Sequence, residues 1–247
     1  KSEFIPIDSE HFSIRELLSG KKNNVEEVII TASGGPFLKF PLSKFSKIKP
    51  MIAIKHPNWK MGNKISIDSA TLINKVFEVI EAQRIFNINF KKFEILIHPK
   101  SYVHAIIKFN NGLSKILVHD SDMKIPIFNS IYDKNNLEYK TSKLNIKILN
   151  NLNFSKVNEK KFPSTKLLKY IPDNISLYET VLVSSNDELV DLFLKGKIKF
   201  ESISRNLHKI LRMKEFVKFK KRSPKNYNEL INLSNYVRLK TKHLCIW

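Results

Sequence analysis

The chain of 247 residues is 42% hydrophobic and 27% charged, a composition that excludes a disordered protein and allows two modest domains with cores. No stretch approaches eighteen consecutive apolar residues, which excludes a membrane-spanning helix, and the single Cys245 excludes an intramolecular disulfide, so a reducing, cytoplasmic setting is expected. The net charge of +20 suggests a nucleic-acid partner, but the excess is concentrated in residues 201–225, which carry no nucleic-acid-reading motif. Lys220 lies in this basic run, where solvent and salt are expected to screen its charge.

The first part of the chain, from Ile5 to Tyr132, alternates short β-branched runs with one strong helix, which predicts an α/β or α+β catalytic domain. The predicted strands are Phe4–Ile7, Val28–Ala32, Phe93–Ile97, His104–Phe109 and Leu113–Val118. Asn110-Asn111-Gly112 predicts a hairpin between the last two. A helix is predicted from about Ser69 to Phe86, with apolar residues at near-helical spacing on one face and Asn74, Lys75 and Glu78 on another.

The second part of the chain is predicted to be helical. Residues 135–164 are rich in Lys and Asn and predict a connector, whereas the apolar spacing from Lys166 onward is typical of a small helical bundle. The expected organisation is therefore a catalytic domain at residues 1–134, a connector at 135–164 and a C-terminal helical bundle at 165–247.

Three acidic residues are candidates for a metal site. Asp8 and Glu10 are two residues apart, so at the end of an extended segment their carboxylates would point to the same side. With Glu78 they provide three hard oxygen donors, which suit Mg²⁺ or Mn²⁺ equally well. The alternative for the first two is a solvated turn, or a helix N-cap at Asp8, and the sequence alone leaves this open.

A second group of residues could bind a phosphate. The glycines of Ser33-Gly34-Gly35 follow an apolar strand and would let backbone N–H groups approach an anion closely. Asn74 and Lys75 lie near the start of the predicted helix and would complete the pocket with Ser69. The alternatives are that the glycines form only a turn and that Lys75 is a solvated lysine paired with Glu78.

The loop before that helix contains apolar residues in an exposed position. Trp59 and Met61 lie between Pro57 and Gly62, so the loop could close over a ligand with Gly62 as its hinge. The alternative is that Trp59 anchors the loop to its own core.

Five histidines have to be weighed as catalytic candidates. His56 opens the loop and His11 directly follows the acids, which favours a functional role for both, and His104 is a third candidate. His98 and His119 have no such positional support and are expected to be structural.

Several longer segments carry a specific resemblance to a known family. PIDSEH, TASGGPF, HPNWKMGNKISIDSATLINKVFEVIEA, LIHPKSYVHA and DMKIPI, which cover Ile5–Ile127 densely, resemble the 1-deoxy-D-xylulose 5-phosphate reductoisomerase family. The resemblance implies a homodimeric oxidoreductase that converts 1-deoxy-D-xylulose 5-phosphate to 2-C-methyl-D-erythritol 4-phosphate in non-mevalonate isoprenoid biosynthesis. It also implies NADPH and Mg²⁺ or Mn²⁺ as cofactors.

The resemblance assigns roles to individual positions of this chain. The implied metal ligands are Asp8, Glu10 and Glu78. The implied substrate contacts are Ser9, Glu10, Ser33, His56, Ser69, Asn74, Lys75 and Glu78. The implied lid residues are Trp59 and Met61, with Gly62 touching NADPH, and the implied catalytic residues are Glu10, Glu78, His56, His11 and His104.

The sequence departs from the family pattern in two places. The N-terminal Rossmann-like domain with its glycine-rich loop has no counterpart here, so the chain is expected to be a fragment that is inactive alone. The location would be cytoplasmic, or organellar if a missing N-terminus carries a transit peptide. A family Asn-Ala-Ala-Asn-Glu pattern appears as Ser184-Ser185-Asn186-Asp187-Glu188. The remaining alternatives are a basic nucleic-acid-binding protein and a divergent sugar-phosphate-binding homologue without reductase activity.

Overall fold

The computed structural model describes residues 4–19, 24–57, 59, 61–132 and 137–246. The helices are α1 Ser9–Leu18, α2 Pro50–Ala53, α3 Asn63–Thr71, α4 Ile73–Phe86, α5 Lys124–Ile131, α6 Ile146–Leu149, α7 Tyr178–Leu194, α8 Phe200–Leu211, α9 Lys214–Val217 and α10 Tyr227–Ile246. The strands are β1 Val25–Ala32, β2 Phe93–Ile97, β3 Val103–Phe109, β4 Ser114–Val118 and β5 Ser155–Lys156. Short 3-10 helices occur at Leu42–Lys47, Phe90–Lys92, Pro163–Tyr170 and Lys218–Lys221.

The chain forms two compact units. Unit 1 comprises Lys1–Gly34 and Phe77–Val157, and unit 2 comprises Gly35–Val76 and Asn158–Trp247. The mixture of a sheet and helices confirms the predicted fold class. The predicted domain boundary at 134/135 lies outside the described residues, and the assignment of three domains stays a prediction.

Unit 1 is built on a five-stranded sheet with the order β4-β3-β1-β2-β5. β1 and β2 are parallel, whereas the other three pairs are antiparallel. Buried and less buried residues alternate along β3, and α1 packs against β3 and β4 with Phe12, Ile14 and Leu17 buried. At about 25 cal/mol per Å² of apolar surface, burying each of these three side chains contributes roughly 1.5–3 kcal/mol.

The short strand β5 lies within the predicted connector and pairs with β2. Just before it, the backbone carbonyl of Asn153 lies 3.1 Å from His98 Nδ1, and the Phe154 ring stacks on the His98 ring at a centroid distance of 4.9 Å. His98 therefore has a structural role, as expected from its position in the sequence.

Unit 2 is mainly helical. α7 packs against α10, α8 and α3, and it buries a continuous set of apolar side chains that includes Val181, Leu189 and Phe193. Tyr178 at its start is fully buried and donates a hydrogen bond from its hydroxyl to the carbonyl oxygen of Leu211. In the part of the chain that the structure describes, no helix is both long and apolar enough to cross a membrane.

The prediction of a strand at Phe4–Ile7 is wrong. These residues are irregular, and Asp8 is the N-cap of α1, which is the alternative that the sequence left open. The helix is favoured because Phe12, Ile14 and Leu17 all reach the sheet when the chain turns at Asp8. The other four predicted strands are confirmed, with ends that differ by at most three residues.

The predicted continuous helix from Ser69 to Phe86 is also wrong in one respect. α3 ends at Thr71, Leu72 adopts a left-handed conformation with φ 59° and ψ 14°, and α4 begins at Ile73. A left-handed leucine costs roughly 1–2 kcal/mol. The cost is offset because this conformation leaves the Leu72 side chain only 1% exposed.

Candidate functional site

Three carboxylates of unit 1 converge. Asp8 is the N-cap of α1, Glu10 lies in its first turn, and Glu78 is the sixth residue of α4. One ligand atom from each of the three residues lies within 4.8 Å of the others, which confirms the predicted convergence. Glu10 and Glu78 are 7% and 3% exposed, whereas the Asp8 side chain is 44% exposed.

This arrangement suits an octahedral divalent cation. Two oxygens bound to Mg²⁺ at about 2.1 Å lie between about 3.0 and about 4.2 Å apart, so only a small closure of the three carboxylates is required. Two buried carboxylates this close repel each other and lose hydration, and a shared cation offsets both costs. Three oxygen donors leave up to three further coordination positions for water or substrate oxygens.

The geometry that brings Asp8 and Glu10 together differs from the predicted one. They are not successive residues on one face of an extended segment, because the helix begins between them. Asp8 occupies the N-cap position, but its side chain makes no capping hydrogen bond, so its carboxylate can turn toward Glu10 and Glu78. The start of a helix favours negative charge, which suits two carboxylates at this position.

His11 connects the two helices that carry the acids. Its Nε2 lies 2.9 Å from the backbone carbonyl oxygen of Glu78, so this nitrogen carries a proton and donates. Its Nδ1 lies 3.6 Å from Asp8 Oδ2, and a third acid, Glu81, lies 3.8 Å from Nε2. Asp8, His11 and Glu81 could also hold a metal by distance, but the hydrogen bond to Glu78 makes His11 a residue that orients the first group.

Two stacked histidines lie on the other side of Glu10. His104 Nδ1 is 4.0 Å from Glu10 Oε1, and the His119 ring stacks on the His104 ring at a centroid distance of 4.0 Å. His119 Nδ1 donates to the carbonyl oxygen of Asp120 at 2.7 Å. Burial, and then the neighbouring His104, lower the pKa of His119 to about 4, so it is neutral at pH 7.

His119, which the sequence predicts to be structural, therefore packs directly on a candidate site residue. The pairing of Val103 with Val118 brings the ends of β3 and β4 together, but the residues that follow these two run in opposite directions, and the His119 N–H donates to the carbonyl oxygen of Tyr102. His104 stacks on His119 where the register of the two strands is irregular, between Val103 and Ala105, which the sequence does not show.

The predicted phosphate residues of unit 2 flank the break at Leu72. Ser69 lies in the last turn of α3, whereas Asn74 and Lys75 are the second and third residues of α4, whose N-terminal N–H groups carry a partial positive charge. Lys75 is only 9% exposed, so the alternative of a solvated surface lysine is wrong.

His56 is close enough to Lys75 for the lysine charge to act on it. Burial is the larger cause and the Lys75 charge the smaller one, and together they lower the pKa of His56 to about 4. Its Nδ1 accepts a hydrogen bond from the backbone N–H of Trp59 at 3.0 Å. A neutral imidazole that accepts at Nδ1 carries its proton on Nε2, so His56 offers a donor to a ligand.

In the Ser33-Gly34-Gly35 turn, Gly35 is required by its close packing on α3. Gly35 has φ +61°, and a Cβ placed on it would lie 3.1 Å from Ala70 Cα and 3.2 Å from the carbonyl oxygen of Ser69. The close approach of Gly35 is therefore to the backbone of α3. Ser33 is half-buried, and its predicted contact with a phosphate stays a prediction.

The predicted lid is described only in part, because residues 58 and 60 lie outside the described residues. Trp59 and Met61 are half-buried, and Gly62 is the exposed N-cap of α3. Gly62 has φ −63° and open space around its Cα, so this conformation does not require glycine. Its roles as hinge and as NADPH contact stay predictions.

Two family models match the chain. One is the 1-deoxy-D-xylulose 5-phosphate reductoisomerase C-terminal domain, over residues 4–86, and the other is the DXP reductoisomerase C-terminal domain, over residues 119–240.

Curated relatives match over most or all of the chain. A 1-deoxy-D-xylulose 5-phosphate reductoisomerase of Pelagibacter ubique is 56% identical over 247 residues, which are 100% of this chain and 64% of the relative. The corresponding protein of Persephonella marina is 41% identical over 231 residues, which are 93% of this chain and 61% of the relative. The chain therefore spans less than two thirds of the length of these relatives.

Solved structures of similarly named proteins share the fold. A DOX-P reductoisomerase in complex with NADPH, fosmidomycin and magnesium has a TM-score of 0.89 at 28% identity, covering 97% of this chain and 62% of that one. A 1-deoxy-D-xylulose 5-phosphate reductoisomerase from Zymomonas mobilis in complex with NADPH has a TM-score of 0.84 at 30% identity, covering 97% and 61%. Together with the converging acids, these similarities show that the chain belongs to the 1-deoxy-D-xylulose 5-phosphate reductoisomerase family.

Proposed function

We propose that the protein containing this chain converts 1-deoxy-D-xylulose 5-phosphate to 2-C-methyl-D-erythritol 4-phosphate for isoprenoid biosynthesis, with NADPH and Mg²⁺ or Mn²⁺. The observation that carries the proposal is the convergence of Asp8, Glu10 and Glu78 on one point. The similar proteins named above, one of them in complex with NADPH and magnesium, support the choice of reaction and cofactors.

Asp8, Glu10 and Glu78 are the proposed metal ligands. A divalent cation held there would stabilise the negative charge that develops on the carbonyl and hydroxyl oxygens of the ketose. The His11 hydrogen bond to the Glu78 carbonyl fixes the position of this ligand relative to α1. Ser9 donates from its hydroxyl to Glu10 Oε2 at 2.5 Å, which orients the Glu10 carboxylate.

Asn74, Lys75, Ser69 and the proposed Ser33 contact would bind the phosphate of the substrate. Lys75 is the third residue of α4, where the N-terminal N–H groups of the helix favour an anion. His56 is neutral and would donate from Nε2 to a substrate oxygen without adding charge.

Four further residues complete the proposed reaction. His104 stacks on His119 with its Nδ1 4.0 Å from Glu10 Oε1, and it would exchange a proton with a ligand oxygen near the acids. Trp59 and Met61 would close over the substrate and exclude water, and Gly62 would contact NADPH, which supplies the hydride.

We further propose a cytoplasmic homodimer. The support is the family resemblance, together with the edge position of β4, where Ile116 is 49% exposed. Sedimentation velocity on the natural protein tests this, and a monomer at micromolar concentration would contradict it.

The reaction is tested with the natural full-length protein. Oxidation of NADPH is followed by absorbance in the presence of 1-deoxy-D-xylulose 5-phosphate and Mn²⁺, and the product is identified by mass spectrometry. The chain of 247 residues tested alone is expected to bind the ketose phosphate weakly without turnover, because its sequence has no glycine-rich dinucleotide loop. Ketose phosphate binding by the natural protein without NADPH oxidation would instead support a sugar-phosphate-binding homologue without reductase activity.

A further inference from the structure

Asp68 is a buried carboxylate in α3 that is neither a proposed metal ligand nor a proposed phosphate contact. Asp68 is 1% exposed, and its carboxylate accepts a hydrogen bond from Asn186 Nδ2 in α7 at 2.8 Å. Lys64, one turn earlier in α3, places its Nζ 2.7 Å from Asp68 Oδ2. All three residues belong to unit 2, so this hydrogen-bonded group links α3 directly to α7.

The group continues to a third helix. Lys64 Nζ also lies 3.1 Å from Asp187 Oδ1, and Arg238 of α10 lies 2.5 Å from Asp187 Oδ2. Asn186 and Asp187 belong to the segment in which the chain departs from the family's Asn-Ala-Ala-Asn-Glu pattern.

This group is a costly way to stabilise a helix pair. Burial raises the pKa of Asp68, and the Lys64 charge and the hydrogen bonds from Lys64 and Asn186 lower it only in part. Asn186 is 0% exposed, and its Oδ1 has no hydrogen-bond partner among the residues that the structure describes. Replacing such buried polar groups by apolar ones of similar volume is often neutral or stabilising, so stability alone does not account for them.

The apolar packing of α3 does little to set its rotation. Its buried residues are Ser66, Ile67, Asp68, Ala70 and Thr71, of which only Ile67 is a large apolar side chain. Such a surface can rotate about the helix axis without losing much buried apolar area. The directed hydrogen bond from Asn186 to Asp68 removes this freedom because it has one favourable orientation.

The rotation of α3 determines where the next residue points. Ser69 is turned by about 100° from Asp68, and its hydroxyl lies about 4.5 Å from the helix axis. A rotation of about 15° would therefore move this hydroxyl by about 1.2 Å, which is enough to break a hydrogen bond to a phosphate oxygen. Gly35, packed on the Ser69 carbonyl, would have to move with it.

We infer that Asp68 and Asn186 are positioning residues that set the rotation of α3 and thereby the place of Ser69 in the phosphate site. The inference rests on the proposed function, because it takes Ser69 to be a phosphate contact. Residues 184–188 of α7, which differ from the family pattern, thereby acquire a role in recognising the phosphate end of the substrate.

The test compares Asn186→Ala with Asp191→Asn in the natural full-length protein. Asp191 lies on the same helix and pairs with Lys195 on the surface, so its replacement controls for a polar change in α7. Asn186→Ala is expected to raise the dissociation constant of inorganic phosphate, and the KM for the ketose phosphate, about tenfold. The dissociation constant of Mn²⁺ and the KM for NADPH should change less than twofold, and Asp191→Asn should change none of these values.

A reciprocal exchange separates positioning from general loss of structure. Asp68→Asn combined with Asn186→Asp keeps one amide-to-carboxylate hydrogen bond with donor and acceptor exchanged, and it should restore phosphate binding to within about threefold of the parent. If Asn186→Ala does not fold, the isosteric Asn186→Asp replaces it as the single variant, because it removes the Nδ2 donor without a change of volume. Unchanged phosphate affinity in the single variant, or a double variant no better than the single one, would overturn the inference. Phosphate titration needs no turnover, so a parent protein that binds phosphate but does not reduce the ketose would contradict only the proposed function.

Discussion

Replacing Lys75 by alanine tests the phosphate site most directly. Lys75 is 9% exposed and lies in the first turn of α4, so its ammonium group is largely removed from water before a ligand binds. A hydrogen bond to a charged partner contributes about 1.5–3 kcal/mol. The dissociation constant of the ketose phosphate should therefore rise about ten- to a hundredfold in Lys75→Ala.

The measurement is a calorimetric titration of the natural protein with the ketose phosphate at physiological ionic strength. Lys220 is not a suitable control, although the sequence predicts a solvated charge there. Its Nζ lies 4.9 Å from the centroid of the Tyr178 ring and 5.7 Å from that of Tyr170, and burial lowers its pKa. Lys221 is exposed in the same basic run, and Lys221→Ala changes the net charge equally. Its expected effect on affinity is less than twofold.

A second measurement reports on the site without any ligand. The Lys75 charge contributes to the lowered pKa of His56, so in Lys75→Ala this pKa should rise while remaining below its ordinary value, because burial is the larger cause. Titration of the His56 ring by NMR gives the value. Equal losses of affinity in Lys75→Ala and Lys221→Ala would refute the reasoning, because net charge rather than a positioned lysine would then govern binding.

Three further predictions concern the acids, the turn and the histidine stack. Glu78→Gln should weaken Mn²⁺ binding at least tenfold by electron paramagnetic resonance, and unchanged binding would remove Glu78 from the metal site. Gly35→Ala should lower the free energy of unfolding, measured in urea, by at least about 1–2 kcal/mol. The control Gly62→Ala, at φ −63° in open space, should be neutral, and equal effects of the two substitutions would contradict the packing of Gly35 on α3. Because the pKa of His119 is about 4 when folded and about 6.5 when unfolded, unfolded chains bind the proton first as pH falls. The part of the free energy of unfolding that neutral His119 contributes above pH 6.5 is therefore lost between about pH 6.5 and about pH 4. Between pH 7.5 and pH 4.5, the free energy of unfolding in urea should fall less in His119→Gln than in the parent. An equal fall would mean that His119 titrates normally.

Much of the local structure could be predicted from the sequence because it depends on neighbouring residues. The β-branched runs predicted four of the five strands, and Asn110-Asn111-Gly112 predicted the hairpin between β3 and β4. The two-residue strand β5 was not predictable, because its pairing with β2 depends on a partner about sixty residues away. The same is true of the break at Leu72, since the apolar pattern runs through it without interruption.

The sequence by itself determined the family and the residue types of the proposed site: three hard oxygen donors, a proposed phosphate-binding group at a helix start and a neighbouring histidine. Tertiary structure decided which of these residues meet. Glu78 reaches Asp8 and Glu10 across about seventy residues, and His119 stacks on His104. The proposed positioning role of Asp68 depends on its hydrogen bond with Asn186, which lies more than a hundred residues later in the chain. Propensity and periodicity act over a few residues, whereas a site depends on distances between segments that only the packed core sets.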